Sequence, residues 1–384
     1  MLQAPSWSTR WRSEMLDAKS LLKFSQAWEK LSQNALEDNV YYTPSYAASL
    51  LDTCEKNTDV EFATVWMNDI LVALLPVAPP KTYPPYFFRI GKAWETKYTF
   101  SCMPLLHGEY SREGADRLAT LLESVHKGEW LFPLMNAEGK TCALFKSVLE
   151  SKGVPWVSVN VFDRASLVPG STFEDHMSRC VPAKRRKELA RTRRRLSEAG
   201  ELRHVICRTE EELSCAVAAF MRIEADGWKG KKGTALNCTE ATREFAYRVF
   251  RNNEDTQCRA DMLTLNGAPI AVSLVLLAGS TGFTVKCTYN EEFRSYSPGL
   301  LLEESVVRSF LNEGWAARLD AATAGEHVID SLWPSRVQVA DLAFSFAKNI
   351  PDARLRAFER SNQARINAKT FAKRTLARVE RWTS

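Results

Sequence analysis

The sequence predicts a mixed α/β protein whose strands form mostly antiparallel sheets flanked by helices, and three observations predict it. At 384 residues the chain is long enough for two domains of about 150 residues each. Two apolar hairpins, FATVWM-ND-ILVALLPVA and ADMLTL-NGA-PIAVSLVLLA, are centred near residues 69 and 267. Each is preceded by helix-patterned segments and followed by more strands and a helix, so the architecture repeats within the chain. With 45% apolar and 25% charged residues, the composition is that of a globular protein and excludes disorder or a small disulfide scaffold.

Taken in order, residues 1–20 carry Arg10, Arg12 and Glu14 without an apolar core, so they are not a secretory signal and read as a loose or helical lead-in. Residues 21–33 place Leu21, Phe24, Trp28 and Leu31 at helical spacing, and a short helix covers 46–51 after Pro44. The first hairpin turns at Asn68-Asp69, and further strands are expected at 86–90, 98–106, 129–135 and 156–162, with helices at 115–126 and 140–151. After Pro169 helix patterns dominate as far as Ala199, where Gly200 stops a strongly basic helix. A helix follows at 210–225, then a Gly-rich loop, GWKGKKGTALN, and a helix at 240–252. The second hairpin turns at Asn266-Gly267, the strongest such signal in the chain. A strand at 283–289 leads through NEEFRSYSPG into a helix at 298–312, Gly314 closes it, and 315–320 make another strand. The domains expected are a lead-in at 1–20, a first unit at 21–165, a second at 166–350, and a basic helical tail at 351–384.

Several function classes are excluded. The longest apolar run, 270–278, has nine residues, whereas a membrane span needs roughly twenty. Nine scattered cysteines lack zinc or redox spacing and read as reduced thiols of a cytoplasmic protein, and five mutually distant histidines give no metal pair. No metal is expected. There is no GxSxG elbow, and GKKGT at 230–234 lacks P-loop spacing, so neither a hydrolase nor an NTPase is indicated. The net charge of +5 is concentrated. Residues 184–195 hold eight Lys or Arg against one Glu, and residues 353–384 hold nine against two, leaving a mildly acidic body. Either segment suits a phosphate-rich partner, and either is equally a solvated helix face.

The most informative segment is strand, loop, then SPGLLLEESVVRSF. Ser297 is placed to cap a helix, Pro298 suits its first position, and Gly299 leaves the backbone open to close approach. Such a helix end offers unpaired N–H groups to a pyrophosphate, although Glu303 and Glu304 nearby weigh against an anion. The same segment also reads as a well-capped core helix packed through Leu300, Leu301, Val306, Val307 and Phe310.

The blocks NGAPIAVSLVLL, KCTYNEEFRSYSPGLLLEESV and WKGKKGTA resemble the acetyltransferase-like family associated with bacterial cellulose and exopolysaccharide synthesis, the CelD type. That family is a branch of the GNAT superfamily and is similar to the Fem-type aminoacyltransferases in carrying two GNAT-like units. The resemblance covers roughly residues 24–335, diffusely in the first half. It implies tandem GNAT-like units, with Trp228, Lys229, Gly230, Gly233, Thr234 and Ala235 in a loop motif. Ser297, Pro298, Gly299, Leu300 and Leu301 then hold the pyrophosphate of acetyl-CoA or another acyl-CoA. Asp320, Gly325 and Trp333 match the family's pattern, but Ile329 and Asp330 stand where Tyr and Lys are expected, and Arg336 or the basic helix would have to supply the missing cation.

GNAT-type chemistry needs a strand edge to polarise the thioester, a base and a donor for the leaving thiolate. The resemblance makes 283–289 and 315–320 the strands bordering the cleft. Tyr289 is then the thiolate acid, Asp320 and Glu291 are the base candidates, and Trp228, Lys229 and Lys286 line the acceptor pocket. Asp320 is preferred because it ends an apolar strand expected to run beside the cleft, whereas Glu291 lies in the exposed-looking NEEFRS loop. The bland alternatives are core packing for Tyr289 and surface carboxylates for the two acids. The leading expectation is an acyl-CoA-dependent N- or O-acyltransferase acting on an amino sugar or another polysaccharide precursor. A Fem-like aminoacyl-tRNA-dependent transferase contacting RNA through Lys184 to Arg195, and a non-catalytic GNAT binding module, are its rivals.

Overall fold

The computed structural model describes residues 9–82, 89–323, 328–348, 353–361 and 363–364. In chain order the elements are β1 (Trp11–Asp17), α1 (Ala18–Leu22), α2 (Ser25–Gln33), α3 (Pro44–Asp52), β2 (Glu61–Met67), β3 (Ile70–Thr82), β4 (Arg89–Ala93), β5 (Leu105–Leu106), α4 (Ser111–Val125), β6 (Glu129–Asn136), α5 (Lys140–Ser151) and β7 (Trp156–Leu167). There follow α6 (Phe173–Cys180), α7 (Ala183–Glu198), β8 (Leu202–Cys207), α8 (Glu210–Asp226), α9 (Trp228–Lys231), α10 (Glu240–Val249), β9 (Gln257–Leu265), β10 (Ala268–Ala278), β11 (Thr281–Tyr289), α11 (Pro298–Glu313), β12 (Arg318–Asp320) and β13 (Ser335–Ser345).

The chain divides into two compact units that interleave in sequence, where a linear division near residue 165 is expected. The first comprises 1–37, 59–162 and 338–384; the second comprises 38–58 and 163–337. Their strand orders match. In the first unit β1-β2-β3-β4 are antiparallel, β4 runs parallel to β6, and β6 pairs antiparallel with β13. In the second, β8-β9-β10-β11 are antiparallel, β11 runs parallel to β12, and β12 pairs antiparallel with the end of β7. One topology thus occurs twice, and the sixth strand of each sheet comes from a remote stretch of chain. Both hairpins turn through left-handed residues, Asn68 at φ 54° in one and Asn266 and Gly267 at φ 51° and 80° in the other.

Several expectations are corrected. Of the lead-in expected to be loose or helical, residues 18–20 are helical in α1 but 11–17 are strand β1, paired along β2; its charged Arg12 lies over the Trp66 ring at 5.0 Å, so polar sequence conceals an edge strand. The segment 98–106 is a loop except at Leu105–Leu106, with Tyr98, Cys102 and Met103 buried without being strand. The helix at 21–33 is broken at residues 23–24, and the Gly-rich loop contains the single turn α9. The strand at 315–320 begins only at Arg318. Strands β8 and β13 are interrupted by polar residues, Arg203 and His204 in one and Gln338 and Asp341 in the other, and so do not stand out as apolar runs. Of the basic tail, residues 353–361 are helical, with Leu355 and Phe358 buried and Arg354 on Glu129 at 3.2 Å; residues 365–384 lie outside the described residues.

In the second unit α11 is fastened to the sheet by a buried polar cluster. The Arg259 guanidinium donates to both oxygens of Asp261, at 2.8 Å each, and to Ser309 Oγ of α11 at 2.7 Å. His204 Nε2 of β8 meets Asp261 Oδ1 at 2.7 Å. Burial alone would raise the Asp261 pKa, but the hydrogen bonds from His204 and Arg259 hold it below its ordinary 3.8. Its contribution to stability is therefore present above pH 3.8 and is lost as pH falls through the lower folded value. Asp261→Asn strands a buried guanidinium and is expected to cost about 3–5 kcal/mol at neutral pH, read from urea unfolding; a loss under about 1 kcal/mol would show the cluster to be dispensable.

Candidate functional site

In the second unit, β11 and β12 run side by side only from Thr281↔Arg318 to Phe283↔Asp320. Gly282 permits that approach, since a Cβ there would lie 2.6 Å from Leu319. Beyond it the two part, for reasons visible on both sides. Against β10, Leu274 faces Lys286 and Val275 faces Thr284, so Val285 is an extra residue, a bulge that bends β11. On the other side Asp320 Oδ1 accepts the Ala322 N–H at 2.7 Å, and Ala322 takes a left-handed φ of 49° that turns the chain off the strand path. Arg164 fixes this turn, donating Nε–H to the Thr323 carbonyl at 2.8 Å and meeting Asp320 at 3.4 Å, with both side chains buried.

The wedge between the parted segments is a cavity of about 550 Å³. Its walls are Thr284, Val285, Lys286, Cys287 and Tyr289 on one side and Ala321, Ala322, Thr323, Val328 and Ile329 on the other. Trp228, Lys229, Arg294, Ser297, Gly299, Leu300 and Glu303 complete it. The hydroxyls of Thr284 and Thr323, one from each wall, are buried and lack hydrogen-bond partners among the described residues. Such orphaned groups at a cavity wall are suited to a polar ligand or water.

The cavity brings together most of the residues singled out in the sequence. Tyr289, Lys286, Trp228, Lys229, Ser297, Gly299 and Leu300 all line it. Pro298 and Leu301 are buried without lining it, and Leu301 belongs to the core. Ser297 does not cap α11 with its side chain; it sits in the left-handed region at φ 49°, and its carbonyl accepts the N–H groups of Leu300 and Leu301 at 3.0 and 3.2 Å. The Gly299 N–H falls outside the helix ladder, and a Cβ at 299 would meet protein only at 3.5 Å, from Tyr289. The fold does not require glycine there.

Neither preferred carboxylate lines this cavity. Asp320 is held by Arg164 and the Ala322 N–H, as the pivot of the turn. Glu291 accepts the Trp228 N–H at 2.8 Å and so anchors α9, whose close fold-back needs Gly230, because a Cβ there would meet the Ala225 carbonyl at 1.7 Å. Lys229 Nζ donates to buried Glu224 at 2.8 Å. Arg336 donates to the Trp333 and Ser335 carbonyls, so it caps backbone, whereas Arg294 is a cation on the cavity wall. Gly325 lies outside the described residues.

The carboxylate that does line the cavity is Glu303, on the second turn of α11. It is 5% exposed, and its Oε1 accepts the Trp333 Nε1–H at 2.8 Å. Burial raises its pKa to about 8, against a smaller lowering by the Trp333 hydrogen bond, and Asp261 adds to the rise. Being largely uncharged at pH 7, Glu303 does not repel an anion at the helix end, and Glu304 is neutralised by Arg193 at 2.7 Å. Burial also pushes the neighbouring Cys287 up to about 12, so it remains a thiol. A signal for Glu303 exists in the sequence: it shares a helical face with Leu300, Val306, Val307 and Phe310, where an acid is out of place. Among the described residues no group of His, Cys, Asp or Glu is placed to hold a metal, and no helix is long and apolar enough to cross a membrane.

Residues 183–327, within the second unit, match the family model described as Acetyltransferase (GNAT) domain. No curated protein matches the chain. Among solved structures, FemX is similar at a TM-score of 0.53 and 10% identity, covering 89% of this chain and 99% of that one. The C-terminal domain (DUF2156) assigned to a lysylphosphatidylglycerol synthetase of Agrobacterium fabrum is similar at 0.51 and 10%, covering 89% and 96%. A conserved protein of unknown function from Bacteroides thetaiotaomicron is similar at 0.50 and 12%, covering 84% and 97%. At these identities the likeness is one of fold. The second unit has a GNAT-type fold, the first repeats its strand order, and the family match and the cavity both lie in the second unit.

Glu303 gives the site a measurable signature. The folded state holds a proton between about pH 4.5 and 8 that the unfolded chain has released, so Glu303 lowers stability progressively as pH rises through that window. Glu303→Gln should therefore gain stability over the parent by about 3–5 kcal/mol between pH 4.5 and 8.5, judged from urea midpoints. A pH-independent difference would place the Glu303 pKa near its ordinary value.

Proposed function

We propose that the second unit binds an acyl-CoA in the wedge between β11 and the turned segment after β12, and transfers the acyl group to an amine or hydroxyl acceptor. The observation that carries this reading is the parting of two parallel strands beside a helix N-terminus. Parted strands leave backbone N–H and C=O groups that an extended, amide-containing chain satisfies, and the Gly299 end of α11 accepts the pyrophosphate. Thr284 and Thr323 offer it further hydroxyls, and Arg294 supplies a cation in place of the family lysine. Tyr289 is the proton donor to the departing thiolate, and Trp228, Lys229 and Lys286 border the acceptor. The acceptor we favour is an amino sugar or other polysaccharide precursor, on the strength of the CelD-type resemblance of WKGKKGTA and SYSPG, and the reaction is placed in the cytoplasm.

Gly299→Asp tests this reading, since a Cβ there meets only Tyr289, at an ordinary contact distance of 3.5 Å, while the carboxylate brings a negative charge to the helix end. Calorimetry with acetyl-CoA and free CoA should show at least about tenfold weaker binding with an unchanged melting temperature. Equal affinity in the two proteins would remove the pyrophosphate from this helix end.

A second reading is favoured by one observation. Lys184, Lys187, Arg191, Arg194 and Arg195 of α7 are exposed. This array suits an RNA-borne donor, as in a Fem-like aminoacyl-tRNA-dependent transfer. Arg193 is not part of it, being occupied by Glu304 and the Leu301 carbonyl. Under this reading, changing Arg191, Arg194 and Arg195 to Gln flattens the salt dependence of RNA binding by about three log–log units, while removing residues 365–384 leaves it intact. Failure of the parent protein to bind tRNA at low salt would eliminate it.

A further inference from the structure

We infer that Glu303 is the catalytic base of this site, the group that takes the proton from the acceptor as it attacks the thioester; this deepens the acyl-transfer reading and rests on it. The geometry assigns the role by position. Among the described residues that line the cavity, Glu303 is the only carboxylate. The two acids with better sequence credentials are engaged elsewhere, Asp320 by Arg164 and Glu291 by the Trp228 N–H. Glu303 is held from behind, since Trp333 Nε1–H fixes Oε1 at 2.8 Å, while Oε2 has no hydrogen-bond partner among the described residues. One oxygen anchored and one available is the arrangement a proton acceptor needs.

The charges around it leave the carboxyl without an ion-pair partner among the described residues. On β11 stand Lys286, Cys287 and Tyr289; on the segment before α11 stands Arg294; on α9 stands Lys229, which is bound to Glu224. On β9, Asp261 opposes ionisation of Glu303 and is itself tied to Arg259. On α6, His176 donates its Nε2–H to the Leu332 carbonyl at 2.8 Å, and on α7 Arg193 serves Glu304. No described cation forms an ion pair with Glu303, so burial dominates and sets its proton affinity near that of an amine or thiol.

In the step proposed, the Glu303 carboxylate takes a proton from the acceptor nitrogen or oxygen as that atom's lone pair forms the C–N or C–O bond. The thioester C–S bond breaks, and its electron pair leaves on sulfur. The thiolate takes a proton through the Tyr289 hydroxyl, which recovers one from solvent, and Glu303 releases its own to solvent. Atoms and charge balance without any further reactant.

Because water is an acceptor available to any such site, the test uses acetyl-CoA alone. Release of free thiol from acetyl-CoA is followed from pH 6 to 9.5 with the parent, Glu303→Gln and Glu303→Asp, and acetyl-CoA affinity and melting temperature are measured for each. The parent should release thiol along a limb that rises with pH and levels off above about 8. Glu303→Gln should bind acetyl-CoA within about twofold of the parent, lose about two orders of magnitude in rate and lose the limb; Glu303→Asp should recover part of the rate with a displaced limb. A limb that survives in Glu303→Gln, a rate that falls rather than rises through pH 8, or thiol release at the uncatalysed rate by a parent that binds acetyl-CoA overturns the assignment. A parent that does not bind acetyl-CoA overturns the donor reading itself, whatever Glu303 does.

Discussion

The separation of β11 from β12 after Phe283 and Asp320 is the constraint on which the site depends. Parallel strands that pair along their length satisfy each other's backbone groups and leave no room for a ligand. Here a bulge at Val285 and a left-handed Ala322 divert the two chains from each other. A non-glycine residue at positive φ is strained, and it persists because Asp320 holds the Ala322 N–H itself and Arg164 holds the carbonyl of the next residue, Thr323. The buried Arg164–Asp320 pair therefore shapes the cavity without entering it.

Everything with chemical character is arranged around that opening. α11 brings Gly299, Leu300 and Glu303 to it, and is seated on the sheet through Ser309 and the Arg259–Asp261–His204 cluster. α9 brings Trp228 and Lys229, and is held by Glu291 and Glu224. The acids of this unit thus serve distinct ends. Glu224, Glu291, Asp261 and Asp320 accept hydrogen bonds that fix backbone or cations, whereas Glu303 has only a tryptophan N–H and stays protonated near neutrality. The difference lies in partners rather than in residue type.

Much of this was legible in the sequence. The two hairpins announced themselves through Asn68-Asp69 and Asn266-Gly267, because left-handed turns demand such residues. The stretch from Tyr289 to Leu300 was recognisable as strand, turn and helix start, and the cavity indeed lies there. What could not be read was which polar groups face one another. Asp320 ends an apolar strand and looks poised for catalysis, but its partner Arg164 is 156 residues away. Strand β1 carries no apolar signature because a cross-strand contact, Arg12 over the Trp66 ring, accommodates its polar character. The sixth strand of each sheet is remote in sequence, which no local pattern reports.

The most direct measurement is amide hydrogen exchange of the intact protein with and without acetyl-CoA. If the thioester's amide chain completes the parted strands, exchange should slow in residues 284–289, in 320–323 and in the first turn of α11, with little change along β9 or in the first unit. Unchanged exchange in those three segments at saturating acetyl-CoA would contradict the account.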